Sequence, residues 1–322
     1  MKYRLNLQYF ADVMNATTSN TTGNNLSPEM KTYYDKDLIR LAEPNLVHDQ
    51  FGQKRPIPKG NGKTIEFRKF TQLPKITTAL TEGVTPNGQA LDVTALTATV
   101  SQYGGFVKVT DMLELTAIDP IIVETTALIA SQAGRSLDTV TREVLAGGTS
   151  VRYANGKASR AAVAKTDVLT VLDIRKAVAD LERQNTPKIN GSYIGIIHPD
   201  VAFDLMSDSE WVDWQKYTSP EHMYNNEIGR IANVRFVQTT EAKIFEGAGA
   251  SSADVYATMI IGQGAYGVTE ISGGGLETII KSKAEAGGPL NQYSTIGWKA
   301  TKTAERLVEQ YMVRIESGCS LA

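Results

Sequence analysis

Several short stretches of the sequence carry residue types at spacings that could do chemistry. "KGNGKT" (residues 59–64) ends in Gly62-Lys63-Thr64, like the close of a phosphate-binding loop in which backbone N–H groups and a lysine cradle anionic oxygens. That loop needs a glycine where Ile57 stands and must open a helix, whereas "KTIEFRKF" alternates like a strand. "GAGASS" (247–252) has two of the three glycines of a dinucleotide fingerprint, with no well-placed strand before it. Tyr153 and Lys157 have the Tyr-x-x-x-Lys spacing of short-chain dehydrogenases without that family's glycine-rich N-terminal turn. His198-Pro199-Asp200 echoes a chaperone-stimulating tripeptide, but here it links a strand to a helix. Asp204, Asp208, Glu210 and Asp213 could meet as acid and base. Their stretch, "FDLMSDSEWVDWQKY", reads more simply as a polar surface loop with Trp211 and Trp214 tucked beneath it. No nucleophile, base and orienting group come together, so the reading is of a protein that is not an enzyme, with no catalytic and no cofactor-binding residue and no cofactor.

Metal chemistry is also poorly served. The single cysteine, Cys319, excludes a disulfide framework and a cysteine-rich metal site, and His48, His198 and His222 are far apart in sequence, so no metal ligand is assigned. Net charge is -2 over 322 residues, which argues against a protein whose main work is neutralising phosphate. No run of 18 apolar residues occurs, and "MKYRLNLQYFAD" is too soon interrupted to be a secretory signal, so no membrane partner is expected. The chain suits a reducing compartment and is expected to be made in the cytoplasm.

The elements are more telling than the motifs. "ADVMNATTSNTTGNNLS" (11–27) has almost no large side chains to bury and reads as an arm, after which Ser27 and Pro28 start a short amphipathic helix. Ile65 and Phe67 alternate with Glu66 and Arg68, a half-buried strand leading to a Pro86-Asn87-Gly88 turn. The return arm runs from Leu91 through Leu96, Val100, Phe106 and Val109, bent at Gly104 and Gly105. Arms of about 18 to 20 residues predict a hairpin projecting on the order of 50 Å. A two-stranded ribbon is marginal alone in water. Leu73, Ile76, Leu80, Val84, Leu91 and Val93 therefore need a surface that the ribbon does not supply, and another subunit is the natural one. Lys54, Arg55, Lys59, Lys63, Arg68, Lys69 and Lys75 face only Glu66 in the same region, either a solvated strand edge or a docking face for an acidic neighbour.

A helix of about 27 residues follows, with Asp119 as cap and Pro120 opening it, Ile122, Ile129, Ala133, Leu137, Val140 and Val144 along one face, and Gly147-Gly148 ending it. From Thr166 the pattern alternates: a helix starting at Asp167, the strand "SYIGIIHP", a brief helix around Val201 to Met206, then "NVRFVQ", "VYATMII" and "LETIIK". The C-terminal "YSTIGWKATKTAERLVEQYMVRIESG" supplies two more strand candidates.

This order of parts resembles the major capsid proteins of tailed bacteriophages, the Hong Kong 97-type fold. "LNLQYFAD" looks like the opening of capsid proteins from phages of Gram-positive hosts. "YYDKDLIRLAEPNLVHDQFGQKRPIPKGNGKTIEFRKF", "TEGVTP", "VSQYGGFVKVTD", "NEIGRIANVRFVQTTEA" and "GWKATKT" resemble the branch typified by the coat protein of coliphage N-four. The resemblance implies an α+β chain: an N-terminal arm and short helix (1–62), an extended β-hairpin loop (63–110), a peripheral domain with a spine helix (111–162), an α/β axial domain (163–290), and C-terminal strands completing the peripheral domain (291–322).

It also implies a structural role, a major capsid subunit that self-assembles into an icosahedral head around double-stranded DNA. The alternatives are an encapsulin-like compartment shell and a soluble α/β enzyme. Lys54, Arg55, Lys63, Arg68, Lys69, Leu80, Glu82, Val84, Leu91 and Val93 are the expected subunit interface. The partners implied are the chain itself in pentamers and hexamers, a separate scaffolding protein because the arm is too short to hold a scaffolding segment, a portal and decoration proteins. DNA would be enclosed without sequence-specific binding, as no aromatic-interleaved basic patch is visible. The expected location is the virion, after assembly in the host bacterial cytoplasm.

Overall fold

A computed structural model describes residues 47–70, 73–80, 82–83, 85–116, 121–217, 227–272, 276–286 and 288–321. The expected arm with its Ser27-capped helix, the Asp119-Pro120 helix start and the glycines at 273–275 lie outside the described residues.

The chain first gives strands β1 (Gln53–Lys54), β2 (Thr64–Phe70), β3 (Val93–Thr99) and β4 (Ser101–Thr110), then helices α1 (Asp111–Thr116) and α2 (Ile121–Ala146). Next come β5 (Val151–Tyr153), α3 (Val171–Arg183), β6 (Tyr193–Ile197), α4 (Pro199–Ser207), α5 (Ser209–Tyr217), β7 (Glu227–Ile231) and β8 (Val234–Gln238). The last elements are β9 (Ile244–Phe245), β10 (Val255–Ile261), β11 (Tyr266–Thr269), β12 (Glu277–Lys281), α6 (Lys283–Ala286), β13 (Tyr293–Arg306) and β14 (Met312–Ser317).

Two compact units emerge. Among described residues the first holds 102–116, 121–137, 276–286 and 288–301. Its sheet brings β12 antiparallel onto β13 from Glu277↔Lys299 to Lys281↔Thr295, and β4 also pairs with β13. Ile129 and Ala133, one turn apart on α2, pack with Val109, Leu113, Ile296, Trp298 and Ala300, an apolar helix face closing one side of the sheet. Gly104 and Gly105 lie inside the continuous strand β4. Rather than marking a bend, they make room for Trp298: a β-carbon at Gly104 would stand 2.8 Å from its carbonyl oxygen, and one at Gly105 would stand 3.3 Å from its Nε1.

Among described residues the second unit lies within 47–101, 138–272 and 302–321. Its large sheet runs β5-β14-β10-β6-β8-β7, with β9 on the edge of β10. β6 and β10 are apolar along their length because both faces are covered. On one face Val171, Ile174, Ala177 and Leu181 of α3 and Val201, Ala202 and Leu205 of α4 cover Tyr193, Ile197, Phe236 and Ile260. On the other, Leu145, Ala146, Val47 and Phe51 cover Ile194, Ile196, Met259 and Ile261. Thr170 caps α3 by accepting from the Asp173 N–H, so the helix starts four residues after Asp167, the expected start. Asp167 instead accepts from the Ala164 N–H at 2.8 Å and from the Asn155 side chain at 3.0 Å.

Three further expectations are revised. The paired arms of the hairpin are seven residues each, Thr64↔Thr99 to Phe70↔Val93, a ladder of about 23 Å in place of arms of about 18 to 20 residues. Residues 101–110 leave it to pair with β13, and Pro74 and Pro86 have no N–H to offer a longer ladder. The acidic stretch 203–217 is largely helical, not a loop: α4 and α5 meet at Asp208, whose Oδ2 accepts from the Val171 N–H at 3.2 Å. Trp211 is buried edge-on against Phe236, with centroids 5.9 Å apart, and the side chain of Trp214 lies outside the described residues. Finally, β14 pairs with β10 and β5 in the large sheet, so the last strand completes the α/β unit, while "LETIIK" (β12) joins the first unit.

Candidate assembly surface

The hairpin is amphipathic only at its root. Phe67, Ala98 and Val100 are buried, while Glu66, Arg68 and Thr97 face out, and the Val100 N–H donates to the Lys63 carbonyl at 2.8 Å to close the ladder. Past Phe70 the described residues 73–80, 82–83 and 85–92 form no strand, and every one is exposed. Ile76 and Leu80 are 73% exposed and Leu91 is 68% exposed. Leu73 and Val93 are exposed as well. Full burial of such a side chain is worth about 1.5 to 3 kcal/mol, so this chain leaves that stabilisation ungathered along its exposed segment.

The root is seated rather than free. The ring of Phe67 lies against the face of Gly267: a β-carbon there would stand 3.0 Å from Cε1 and Cζ of Phe67 and 3.5 Å from Leu307 Cδ1. Gly267 is fixed between two strands, pairing with Gln53 of β1 and Glu305 of β13. Beside the ring a cavity of about 160 Å³ is lined by Gln53, Arg55, Arg68, Leu96, Gly264 and Val308.

Polar ties hold the surrounding segments. His48, 1% exposed, meets Asp138 of α2 through Nδ1 at 2.6 Å and through its backbone N–H at 2.9 Å. Asp49 accepts from Thr141 Oγ1 at 2.6 Å and pairs with Lys302, and the Tyr266 hydroxyl donates to the His48 carbonyl. The carbonyls that end α2 are taken by arginines from strands distant in sequence. Arg306 donates to the Val144 oxygen at 2.7 Å, and Arg314 to the oxygens of Ala146 and of Gly148, the latter at 3.0 Å.

In the first unit, the sheet face opposite α2 holds an open concavity of about 570 Å³. Gly104 and Gly297 lie at it, and Phe106, Lys108, Lys281, Tyr293 and Lys299 surround it, with Lys108 Nζ 5.2 Å from the Tyr293 ring and 5.9 Å from the Phe106 ring. This basic and aromatic patch was invisible in the sequence because Phe106 and Lys108 of β4 lie more than 170 positions before its members from β12 and β13.

Of the expected interface residues, Lys54, Arg55, Lys63, Arg68, Leu80, Glu82, Leu91 and Val93 are all exposed, and Arg68 pairs with its own chain's Glu66 at 2.9 Å. Val84 and the Lys69 side chain lie outside the described residues. The ten do not converge: Arg55 and Arg68 share the cavity at the hairpin root, and Leu80, Glu82 and Leu91 lie along the unpaired segment. Gly267 and Leu307 carried no signal that could have found them. Among the catalytic look-alikes, Thr64 opens a strand, residues 250–252 form one 3-10 turn, and His198 caps α4 by accepting from the Asp200 N–H. Among the described residues no three His, Cys, Asp or Glu side chains are grouped to hold a metal ion, and no helix is long and apolar enough to cross a membrane.

A family model described as phage capsid protein matches residues 93–305, more than half of the chain, and the chain belongs to that family. No curated protein matches it. Among solved structures, it is similar to the capsid of the cyanophage P-SCSP1u, with a TM-score of 0.67 at 12% identity, covering 94% of this chain and 97% of that one. It is equally similar in TM-score, 0.67, to the capsid of Ralstonia phage GP4, at 13% identity and covering 96% and 98%. The head of Helicobacter pylori bacteriophage KHP40 aligns with a TM-score of 0.60 at 15% identity, covering 96% and 98%. The fold is of the Hong Kong 97-type and the protein is a major capsid structural protein of a tailed phage. Its family and fold imply a non-enzymatic role and a place in the virion. The narrower likeness to the coliphage N-four branch is not supported by these matches.

Proposed function

We propose that copies of this chain assemble through their hairpins, each laying its outstretched segment across a neighbouring copy, to build an icosahedral head of pentamers and hexamers around double-stranded DNA. The observation that carries this is the row Leu73, Ile76, Leu80 and Leu91, exposed on a segment with no strand partner past Phe70, with Val93 exposed at the end of the ladder. Closed symmetry covers such a row on every copy at once. Leu80, Glu82, Leu91 and Val93, with Val84, are the proposed contact residues, and Lys54, Arg55, Lys63, Arg68 and Lys69 supply charge at the hairpin root. Ion pairs there contribute only about 0 to 1 kcal/mol each, so apolar contact dominates. The proposed organisation keeps the peripheral and axial divisions of the family, assembly in the host cytoplasm, and a separate scaffolding protein, a portal and decoration proteins as partners.

Deleting Leu80 to Leu91 tests the proposal. The expected result is a folded, soluble subunit that electron microscopy never finds in closed shells; shells of ordinary size from that variant would end the proposal.

A further inference from the structure

We propose that Phe67 is a positioning residue, and that its seat on Gly267 and Leu307 sets the direction in which the hairpin leaves its own subunit. This rests on the assembly role proposed above, but the seat can be read without assembly. Phe67, Ala98 and Val100 are the buried apolar residues at the hairpin root, and of these Phe67 is the one whose ring meets the adjoining sheet at a glycine. A seven-residue ladder is too short to hold an angle by itself, so a rigid body contact must do so.

The glycine is there for space rather than for backbone freedom. Gly267 is a strand residue paired on both sides and is not among the positive-φ glycines. Alanine would fit the backbone but would place its methyl 3.0 Å from two ring atoms, tighter than ordinary packing allows. The ring has somewhere to go: the cavity of about 160 Å³ beside it, between Leu96, Arg68 and Val308. A β-carbon at Gly267 would therefore turn the hairpin instead of unfolding the unit. Leucine at 67 lacks the Cε1 and Cζ atoms that the new methyl would meet, so Phe67→Leu should relieve the conflict.

The experiment is a double-mutant cycle with two readouts. Spin labels at Thr97→Cys on the hairpin and Gln184→Cys on the body of the same unit report the hairpin angle in the dispersed subunit. Both positions are exposed, and native Cys319 is buried and will not compete for label. The expected result is that Gly267→Ala shifts the distance distribution by more than its wild-type width and raises the concentration needed for shell formation roughly tenfold, that Phe67→Leu alone does little, and that the pair returns both toward wild type. An unchanged distribution in Gly267→Ala, or a double variant as displaced as the single one, overturns the seat. A shifted distribution with unaltered shells instead overturns the hairpin's role in assembly and leaves the seat standing.

Discussion

Arg314 and Glu316, two residues apart on β14, make a buried ion pair at 2.8 Å while Arg314 also holds the oxygen of Gly148 at 3.0 Å, just past the end of α2. Glu316 is fully buried and takes a second arginine, Arg160, through both of its oxygens at 2.7 Å. Arg160 in turn stacks 3.5 Å from the Phe245 ring. One guanidinium thus ends a helix and neutralises a carboxylate that has no water to turn to.

Replacing Arg314 with Met should accordingly cost about 3 to 5 kcal/mol, because it strands the helix-end carbonyls and removes one of the two guanidinium groups that balance Glu316. Denaturant unfolding of the dispersed subunit measures this. A loss within the scatter of a surface substitution would mean that Arg160 alone satisfies Glu316.

Acid should weaken the fold through identified carboxylates. Burial pushes Asp167 upward, but the Ala164 N–H, Asn155 and Lys157 more than offset it and hold it below its ordinary value; Glu309 is likewise lowered, burial being outweighed by the Thr149 N–H and Arg306. A folded pKa below the unfolded one means that the added stability is complete above the unfolded carboxylate pKa, near 4, and is lost as pH falls through the lower folded value. Melting temperature should be flat from neutral pH down to about 5 and drop below about 4, and Asp167→Asn should shallow that acid limb while lowering the neutral plateau.

Leu80→Ser combined with Leu91→Ser should separate folding from assembly. Both side chains are exposed, so the subunit's unfolding midpoint should stay within about 0.5 kcal/mol of wild type. Particle yield, measured by sedimentation, should collapse. A loss of subunit stability as large as the loss of particles would show that these leucines pack on their own chain.

Cys319 should be silent to thiol reagents. It is buried, and its thiol is pushed up by that burial to about 11, so the nucleophilic thiolate is scarce at neutral pH. Labelling with a maleimide should follow the rate of global unfolding, and fast labelling of native protein would contradict the placement of the C-terminal strand.

Elements with a strong period were legible in the sequence. The 26-residue α2, the alternation of Ile65 to Arg68, and the apolar runs of β6 and β10 all stand where their patterns put them, because each depends on local chain geometry. What failed was partnership. Nothing in "YMVRIES" says that β14 inserts between β10 and β5, since a strand covered on both faces carries no register. The helix α5 was hidden by its polar residues, and Thr170 displaced Asp167 as a cap because Asp167 is engaged by Ala164 and Asn155. As for the candidate site, exposure along the hairpin followed from composition. Phe67 meeting Gly267, exactly 200 positions later, could not be seen before the sheet was known.

The bare segment past Phe70 has a further consequence for populations of molecules. Under the assembly proposed above, a copy whose loop is faulty fails to cover its neighbour yet still occupies a place where a sound loop would be received, so it damages contacts on two sides. Co-expressed defective chains should therefore poison head yield more steeply than their share of the mixture, with the damage spreading ring by ring and not copy by copy.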